Sequence, residues 1–252
     1  MSESLRSRLA NGETVLGTIQ IIDSVMVSEL LGVAGLDFIV YDQEHGPLTA
    51  ETTLKLAAGA QYRDVAPVVR IRENRPAEIQ RALDIGAAGV QIPQVETRAQ
   101  AEDAARAARF SPDGERGLSQ YVRAGEYWGH DDYTDRQNRE SLVVAQVEGE
   151  EGVSNIQDIV SVEGIDVIFV GPYDLSQSLG IPGKVTDPRV ESLMNEICEK
   201  VISEGKIVGT FSDSPTIANQ WIDAGVKYIT LGVDASVFAS HIAELRDQIV
   251  LK

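Results

Sequence analysis

Eight times along this chain a short, almost continuously apolar run gives way to a stretch of helical spacing. The runs are 15–19, 37–41, 66–71, 88–93, 142–148, 166–170, 206–211 and 227–232. Runs of that length and character are strands buried on both faces. Helical spacing follows over 24–35, 76–87, 97–110, 189–205 and 214–225, and Gly35, Gly86, Gly205 and Gly225 stand where helices stop. Eight strand–helix units predict an α/β fold, a single (β/α)8 TIM barrel occupying 1–252. An open doubly wound sheet is the alternative, and it lacks its Gly-x-Gly-x-x-Gly fingerprint after the first strand. The longest irregular stretch is 111–140, polar and aromatic, between strands 4 and 5. Ordered loops of that length often carry function.

Charge and cysteine content narrow the partners. The 39 acidic and 22 basic residues leave a net charge of −17. Such a chain repels nucleic acids and anionic membranes. The lone Cys198 permits no internal disulfide and suits a reducing cytosol. The opening segment lacks the apolar core of a signal peptide, and no apolar run approaches the ~20 residues of a membrane span. The expectation is a soluble cytoplasmic protein.

In a barrel of this type the chemistry gathers at the C-terminal ends of the strands. Strand 2 leads into Asp42-Gln43-Glu44-His45, strand 3 ends in Arg70, and strand 4 ends in Gln91 and Pro93. Strand 5 ends Gln146-Val147-Glu148, and strand 6 is followed by Gly171-Pro172-Tyr173-Asp174. Strand 7 leads to Phe211, Ser212 and Asp213, and strand 8 to Asp234. Gln146 and Glu148 lie two apart on a strand and share a face. A carboxylate at the barrel mouth needs a partner or a metal. Glu148 with Asp174 suits Mg²⁺ or Mn²⁺, and the competing reading pairs the carboxylate with Arg70. His45 lies in a turn with Asp42 and Glu44, where an Asp can fix its tautomer for general-base work. A purely structural His45 is the alternative. Arg70 suits a carboxylate or an enolate oxygen, or else an ion pair with Glu44 or Glu148. The segment 171–176 opens a helix that could hold an anion, or Asp174 could simply cap it. His130 and His241 read as exposed.

These residues carry a resemblance. The segments 35–47, 67–71, 83–97, 111–117, 146–148, 162–180 and 231–234 are similar to those of the HpcH/HpaI class II pyruvate aldolases. The resemblance implies a barrel whose last helix is swapped between subunits of a homo-hexamer built as a trimer of dimers. It implies a divalent ion, Mg²⁺ or Mn²⁺ with Co²⁺ a further candidate, held by Glu148 and Asp174, and a 2-oxo acid such as pyruvate or hydroxypyruvate bound to it. Backbone N–H groups around Tyr173 and Asp174 would hold the substrate carboxylate, Arg70 the enolate oxygen, and Gln146 the 2-oxo acid. His45 with Asp42 matches the acid/base unit. Asp84 and Arg123 match polar positions near the site, Asp84 with a possible reach to a neighbouring subunit. The implied reaction is reversible retro-aldol cleavage of a 4-hydroxy-2-oxo acid, in aromatic or sugar-acid catabolism.

The residues are consistent with a metal as electron sink, since no predicted strand ends in the lysine a Schiff base requires. Two departures bear on the aldehyde. Gly17-Thr18-Ile19 stands where several relatives have Gly-x-Trp, and Phe211 where some have an aliphatic residue. The acidic balance also argues against assuming a dianionic aldehyde. Two other readings remain open: a CoA-thioester lyase, against which no basic patch for the phosphates is visible, and a non-catalytic barrel that binds a 2-oxo acid.

Overall fold

A computed structural model describes residues 3–249. Eight strands, β1 (Val15–Gln20), β2 (Phe38–Asp42), β3 (Ala66–Arg70), β4 (Gly89–Ile92), β5 (Leu142–Val147), β6 (Val167–Val170), β7 (Ile207–Ser212) and β8 (Tyr228–Val233), form a closed barrel in chain order. All neighbours pair in parallel, and β8 returns to β1. Each strand falls within a residue or two of its predicted run.

The helices are α1 (Leu5–Ala10), α2 (Val25–Val33), α3 (Ala50–Gln61), α4 (Pro76–Asp84), α5 (Arg98–Ala108), α6 (Tyr133–Glu140), α7 (Gly149–Ser154), α8 (Ile156–Val160), α9 (Pro172–Ser178), α10 (Pro188–Ser203), α11 (Pro215–Asp223) and α12 (Asp234–Asp247). Local chemistry sets their ends. Thr49 and Thr97 close capping boxes with Thr52 and Gln100. Pro76, Pro188 and Pro215 supply the fixed φ of a first helical turn. Gly35, Gly86, Gly205 and Gly225 take φ of 84°, 87°, 74° and 98° just past four helices, a conformation L side chains resist.

The barrel interior is dry below the mouth. Val15, Phe38, Val40, Val68, Leu142, Val144, Val167, Phe169 and Tyr228 fill it, and Leu5 and Leu9 of α1 join them from the N-terminal end. The rings of Phe38 and Tyr228 stack with centroids 4.2 Å apart. A second cluster fills the space between strands and outer helices, from Val69 and Ile79 round to Trp221 and Ile229.

Two strand starts are fastened alike. The Asp37 carboxylate accepts the Leu16 N–H at 2.8 Å, its own N–H donates to the Leu16 carbonyl at 2.8 Å, and Arg8 of α1 pairs with it at 2.9 Å. Four strands on, Asp166 accepts the Val143 N–H at 2.9 Å, donates to the Val143 carbonyl at 2.9 Å, and pairs with Arg6 of α1 at 2.8 Å.

The structure corrects the reading of 111–140. That stretch holds a 3₁₀ turn at Arg123–Gly125 and the helix α6. It follows α5, which runs back toward the strand starts, so it lies at the N-terminal end of the barrel, away from the mouth. His130 is half-buried there, with Asp132 at 3.0 Å and the Arg136 guanidinium at 2.9 Å, so it is not a free surface histidine. His241 on α12 is exposed. Among the described residues no helix is long and apolar enough to cross a membrane.

Candidate active site

The mouth is built from the ends of β2 to β6. Asp42, Arg70 and Gln91 end or nearly end β2, β3 and β4, and pair in register as Asp42↔Arg70 and Arg70↔Gln91. Asp42 and Arg70 form a two-pronged ion pair, with Nε on Oδ1 at 2.9 Å and Nη2 on Oδ2 at 2.8 Å. Oδ1 of Asp42 also accepts the backbone N–H groups of Glu44 (3.0 Å) and His45 (3.2 Å). Burial alone would raise the Asp42 pKa, but the hydrogen bonds and charge of Arg70 outweigh it and hold the group below the ordinary carboxylate range.

This arrangement revises the role expected of Asp42. Its carboxylate serves Arg70 and the turn backbone and does not touch the His45 ring. The turn folds tightly round Asp42 and directs the ring outward, where its side chain is 74% exposed. The nearest carboxylate to His45 is Glu44, with Oε2 3.8 Å from Nε2. The ion pair of Arg70, which the competing reading gave to Glu44 or Glu148, is made chiefly with Asp42. Glu44 is a secondary neighbour, its Oε2 lying 3.4 Å from Nη1.

Three carboxylates then face one another. Glu148 follows β5 with both oxygens held, Oε1 by the Gln94 N–H at 2.9 Å and Oε2 by the Gln146 amide at 2.7 Å. Gln146 in turn accepts the Gln91 amide at 2.8 Å. Burial first, and then the charges of Asp174 and Glu44, push the Glu148 carboxyl up to about 7 against the opposing Gln146 and Gln94 bonds. Burial also raises Glu44, against the pull of Arg70 and His45, with Asp42 and Asp174 adding to the rise. Oε2 of Glu44 is buried without a hydrogen bond. Asp174 sits in the first turn of α9, whose cap is Gly171, and makes no cap bond. Its carboxylate folds back over Gly171, close to where a Cβ at that position would stand. The reading of Asp174 as an ordinary cap is therefore incorrect.

The donor set fits a hard divalent ion. The Glu148 carboxyl, raised by burial and by the charges of Asp174 and Glu44, signals a local excess of negative charge that a cation relieves. Among the described residues no group of three or more His, Cys, Asp or Glu side chains is arranged to hold a metal ion by itself. Glu148 and Asp174 would leave the remaining positions to water and a substrate chelate, as open sites do.

On the far side of the mouth, Tyr173 donates its hydroxyl to Asp213, a bond that with partial burial pushes the phenol up to about 12. Its ring lies 6.1 Å from that of Phe211. Phe211 thus stands beside Tyr173 at the mouth. Asp84 and Arg123 do not lie there, within one chain. Asp84 ends α4 and pairs with the buried Arg116 at 2.7 Å. Arg123 reaches the Ile85 carbonyl at 3.4 Å and lines a cavity of about 1030 Å³ with Asp37 and Gly86 at the strand starts. Both lie at the opposite end because α4 returns the chain there. A cavity of about 1040 Å³, lined by Arg6, Arg98, Arg106 and Arg109, lies at that end too. Lys206 is no Schiff-base candidate: its ammonium is spent on the Val162 and Ile165 carbonyls.

Sequence reasoning missed Gln94 and named Asp213 only as a residue following strand 7. Gln94 has a φ of 54°, a strained non-glycine backbone of the kind that gathers at functional sites, and no local residue pattern announces it. Glu44 was visible in the acidic turn.

The sequence profile of the HpcH/HpaI aldolase/citrate lyase family matches residues 23–240. A 5-keto-4-deoxy-D-glucarate aldolase from Shigella boydii is 34% identical over 242 residues, covering 96% of this chain and 94% of its own. An HpcH/HpaI aldolase/citrate lyase family protein from Burkholderia cenocepacia superposes with a TM-score of 0.92 at 32% identity, covering 98% of this chain and 99% of its own. A citrate synthase, SbnG, superposes with a TM-score of 0.88 at 33% identity over 97% and 96% of the two chains. With its closed barrel and its acidic mouth gathered round Arg70, this chain belongs to the HpcH/HpaI aldolase/citrate lyase family and is a carbon–carbon lyase of the class II aldolase type.

Proposed function

We propose that the protein cleaves 4-hydroxy-2-oxo acids, reversibly, to pyruvate or a related 2-oxo acid and an aldehyde, with Mg²⁺ or Mn²⁺. The observation that carries this is the acidic cluster of Glu44, Glu148 and Asp174 set against an Arg70 already fixed by Asp42. A divalent ion at Glu148 and Asp174 supplies the electron sink at the keto oxygen of the substrate. The protein's own part follows from its geometry. His45, exposed on the rim, takes the proton from the C4 hydroxyl at Nε2, and the C3–C4 bond breaks to release the aldehyde. The electron pair left on C3 delocalises to the keto oxygen. Two of the five N–H donors of Arg70 are spent on Asp42, leaving others to face the charge that collects there. The proton taken up by His45 is given back, directly or through solvent, to C3, which completes the 2-oxo acid and restores the neutral imidazole. Tyr173 and Phe211 border the space for the aldehyde.

The test is pyruvate release from a racemic 4-hydroxy-2-oxo acid, with Mg²⁺ or Mn²⁺ and again after EDTA. Metal-dependent release supports the reading, and no release from folded protein under either condition refutes it. The similarity to a citrate synthase favours a second reading, carbon–carbon condensation onto a 2-oxo acid with a CoA thioester. Acetyl-CoA belongs in the same screen.

Assembly and location are part of the proposal: a cytoplasmic homo-hexamer, a trimer of dimers with the last helix exchanged. Support comes from α12, where Asp234 is the sole buried side chain and Val237, Phe238, Ile242 and Leu245 lie exposed. Met26, Leu30 and Val33 of α2 lie exposed as well. Apolar patches of this kind mark protein contacts.

A further inference from the structure

Gln91 is 1% exposed in the barrel interior, in register with Arg70 on β3 and with Val144 on β5. Below it the interior is aliphatic and aromatic. Its Nε2 donates to Gln146, but its Oε1 is buried without a partner. An unsatisfied buried acceptor is destabilising, and a leucine would fill the same volume without that cost. Packing does not account for a glutamine here. What its amide nitrogen does accounts for it.

The hydrogen-bond polarity of the chain Gln91, Gln146, Glu148 is forced from one end. An ionised Glu148 only accepts, so Gln146 must turn its NH₂ toward it. The Gln146 oxygen then faces Gln91, which must donate. Without Gln91, nothing at that side holds the Gln146 amide against a half-turn that would aim its oxygen at the carboxylate.

We propose that Gln91 is a positioning residue that, through Gln146, fixes the Glu148 carboxylate in the orientation that receives the divalent ion. The proposal rests on the metal reading above. Partners that orient a ligand in this way commonly change metal affinity by about 10–100-fold when removed.

Mn²⁺ binding to the EDTA-treated full-length protein, followed by electron paramagnetic resonance of the free ion, tests it in wild type, Gln91→Leu, Gln146→Leu and the double variant. Gln91→Leu should bind Mn²⁺ roughly ten- to a hundred-fold more weakly. Its melting should stay within about 2 °C of wild type, because the orphaned Gln91 oxygen is gone but the buried Gln146 oxygen loses its donor. The double variant should bind no more weakly than Gln146→Leu alone, to within about twofold, because Gln91 acts only through Gln146. A merely structural Gln91 predicts the reverse: lower melting and unchanged Mn²⁺ affinity. Unchanged affinity in Gln91→Leu, or full additivity in the double variant, overturns the relay alone. Absence of Mn²⁺ binding by the wild type overturns the metal reading and the relay together. If Gln91→Leu and the unbranched Gln91→Met both lose cooperative melting, the residue is structural and the proposal fails.

Discussion

Replacing Asp42 by Asn exchanges one carboxylate oxygen for an NH₂, removes a charge and changes almost no volume. In the native site Oδ1 accepts three hydrogen bonds and Oδ2 one, the latter from Nη2 of Arg70 at 2.8 Å. An Asn that keeps its oxygen at the Oδ1 position sets an NH₂ against Nη2, donor against donor, and removes the charge that compensates a guanidinium at 11% exposure. Breaking a buried pair by removing one member costs about 3–5 kcal/mol. The retained oxygen and the nearby Glu44 place Asp42→Asn near the lower end, about 3 kcal/mol. Arg70 will also move from its position, and loss of one donor aimed at a developing oxyanion costs about 10²–10³ in kcat. Urea unfolding in EDTA at neutral pH reads the first effect, and pyruvate release reads the second. A stability change under about 1 kcal/mol would refute the clamp. A fall in kcat with stability intact would instead return Asp42 to the His45 ring, where a tautomer error lowers rate without unfolding the chain.

Three further outcomes are expected. Glu148 has a folded pKa of about 7 against an ordinary 4.5, so between those values the folded chain keeps a proton that the unfolded chain has lost. Metal-free stability, measured as wild type minus Glu148→Gln by urea midpoints, should therefore fall by about 2–3 kcal/mol as pH rises through that window. Mn²⁺ affinity should climb across the same range as the proton leaves, and an affinity independent of pH would contradict the assignment. His45→Ala should lower kcat about 10²–10⁴-fold while Mn²⁺ and pyruvate binding stay near wild type, and a collapse of pyruvate affinity would remove His45 as the base. Phe238→Asp on α12 should reduce the molar mass seen by light scattering, and an unchanged mass would show that this face is not an interface.

The barrel was legible because its strands are buried on both faces. A run such as Val143-Val144-Ala145 has no solvent side to interrupt it, so its apolar character marks both its ends. The four helix-stop glycines were legible for a related reason, since few other residues accept their φ. The mouth was legible as a set of strand ends but not as a set of pairs. Sequence order puts Asp42 three residues from His45 and 28 from Arg70, yet the parallel register brings Asp42 level with Arg70 and the turn carries the His45 ring away. Asp84 and Arg123 show the same limit from the other direction. Their motifs match, but α4 and the 3₁₀ turn hold them at the far end of their own barrel, and nothing local to either residue tells which end a helix terminus occupies. Gln94 was missed, and Gln91 was named as a strand end without a role, because neither a left-handed backbone nor an amide's direction has a residue-type signature.

The paired fastenings at Asp37 and Asp166 act as gauges for the distant mouth. Each ties a strand start to its neighbour by a carboxylate and by backbone at once, so a one-residue slip would cost both bonds together. Asp42 stands five residues beyond Asp37, about 17 Å along the strand at 3.3 Å per residue. The carboxylate of Asp37 thus levels β2, and with it Asp42, against β1, while its carbonyl takes the Ala66 N–H at 2.9 Å and begins the β2–β3 register in which Asp42 meets Arg70. The same holds on the other half of the barrel, where Asp166 levels β5, and with it Gln146 and Glu148, against β6 and the turn that carries Asp174. The heights of β2 and β5 in the barrel are in this sense measured off from the opposite rim, and substitutions there belong in any search for variants with altered chemistry.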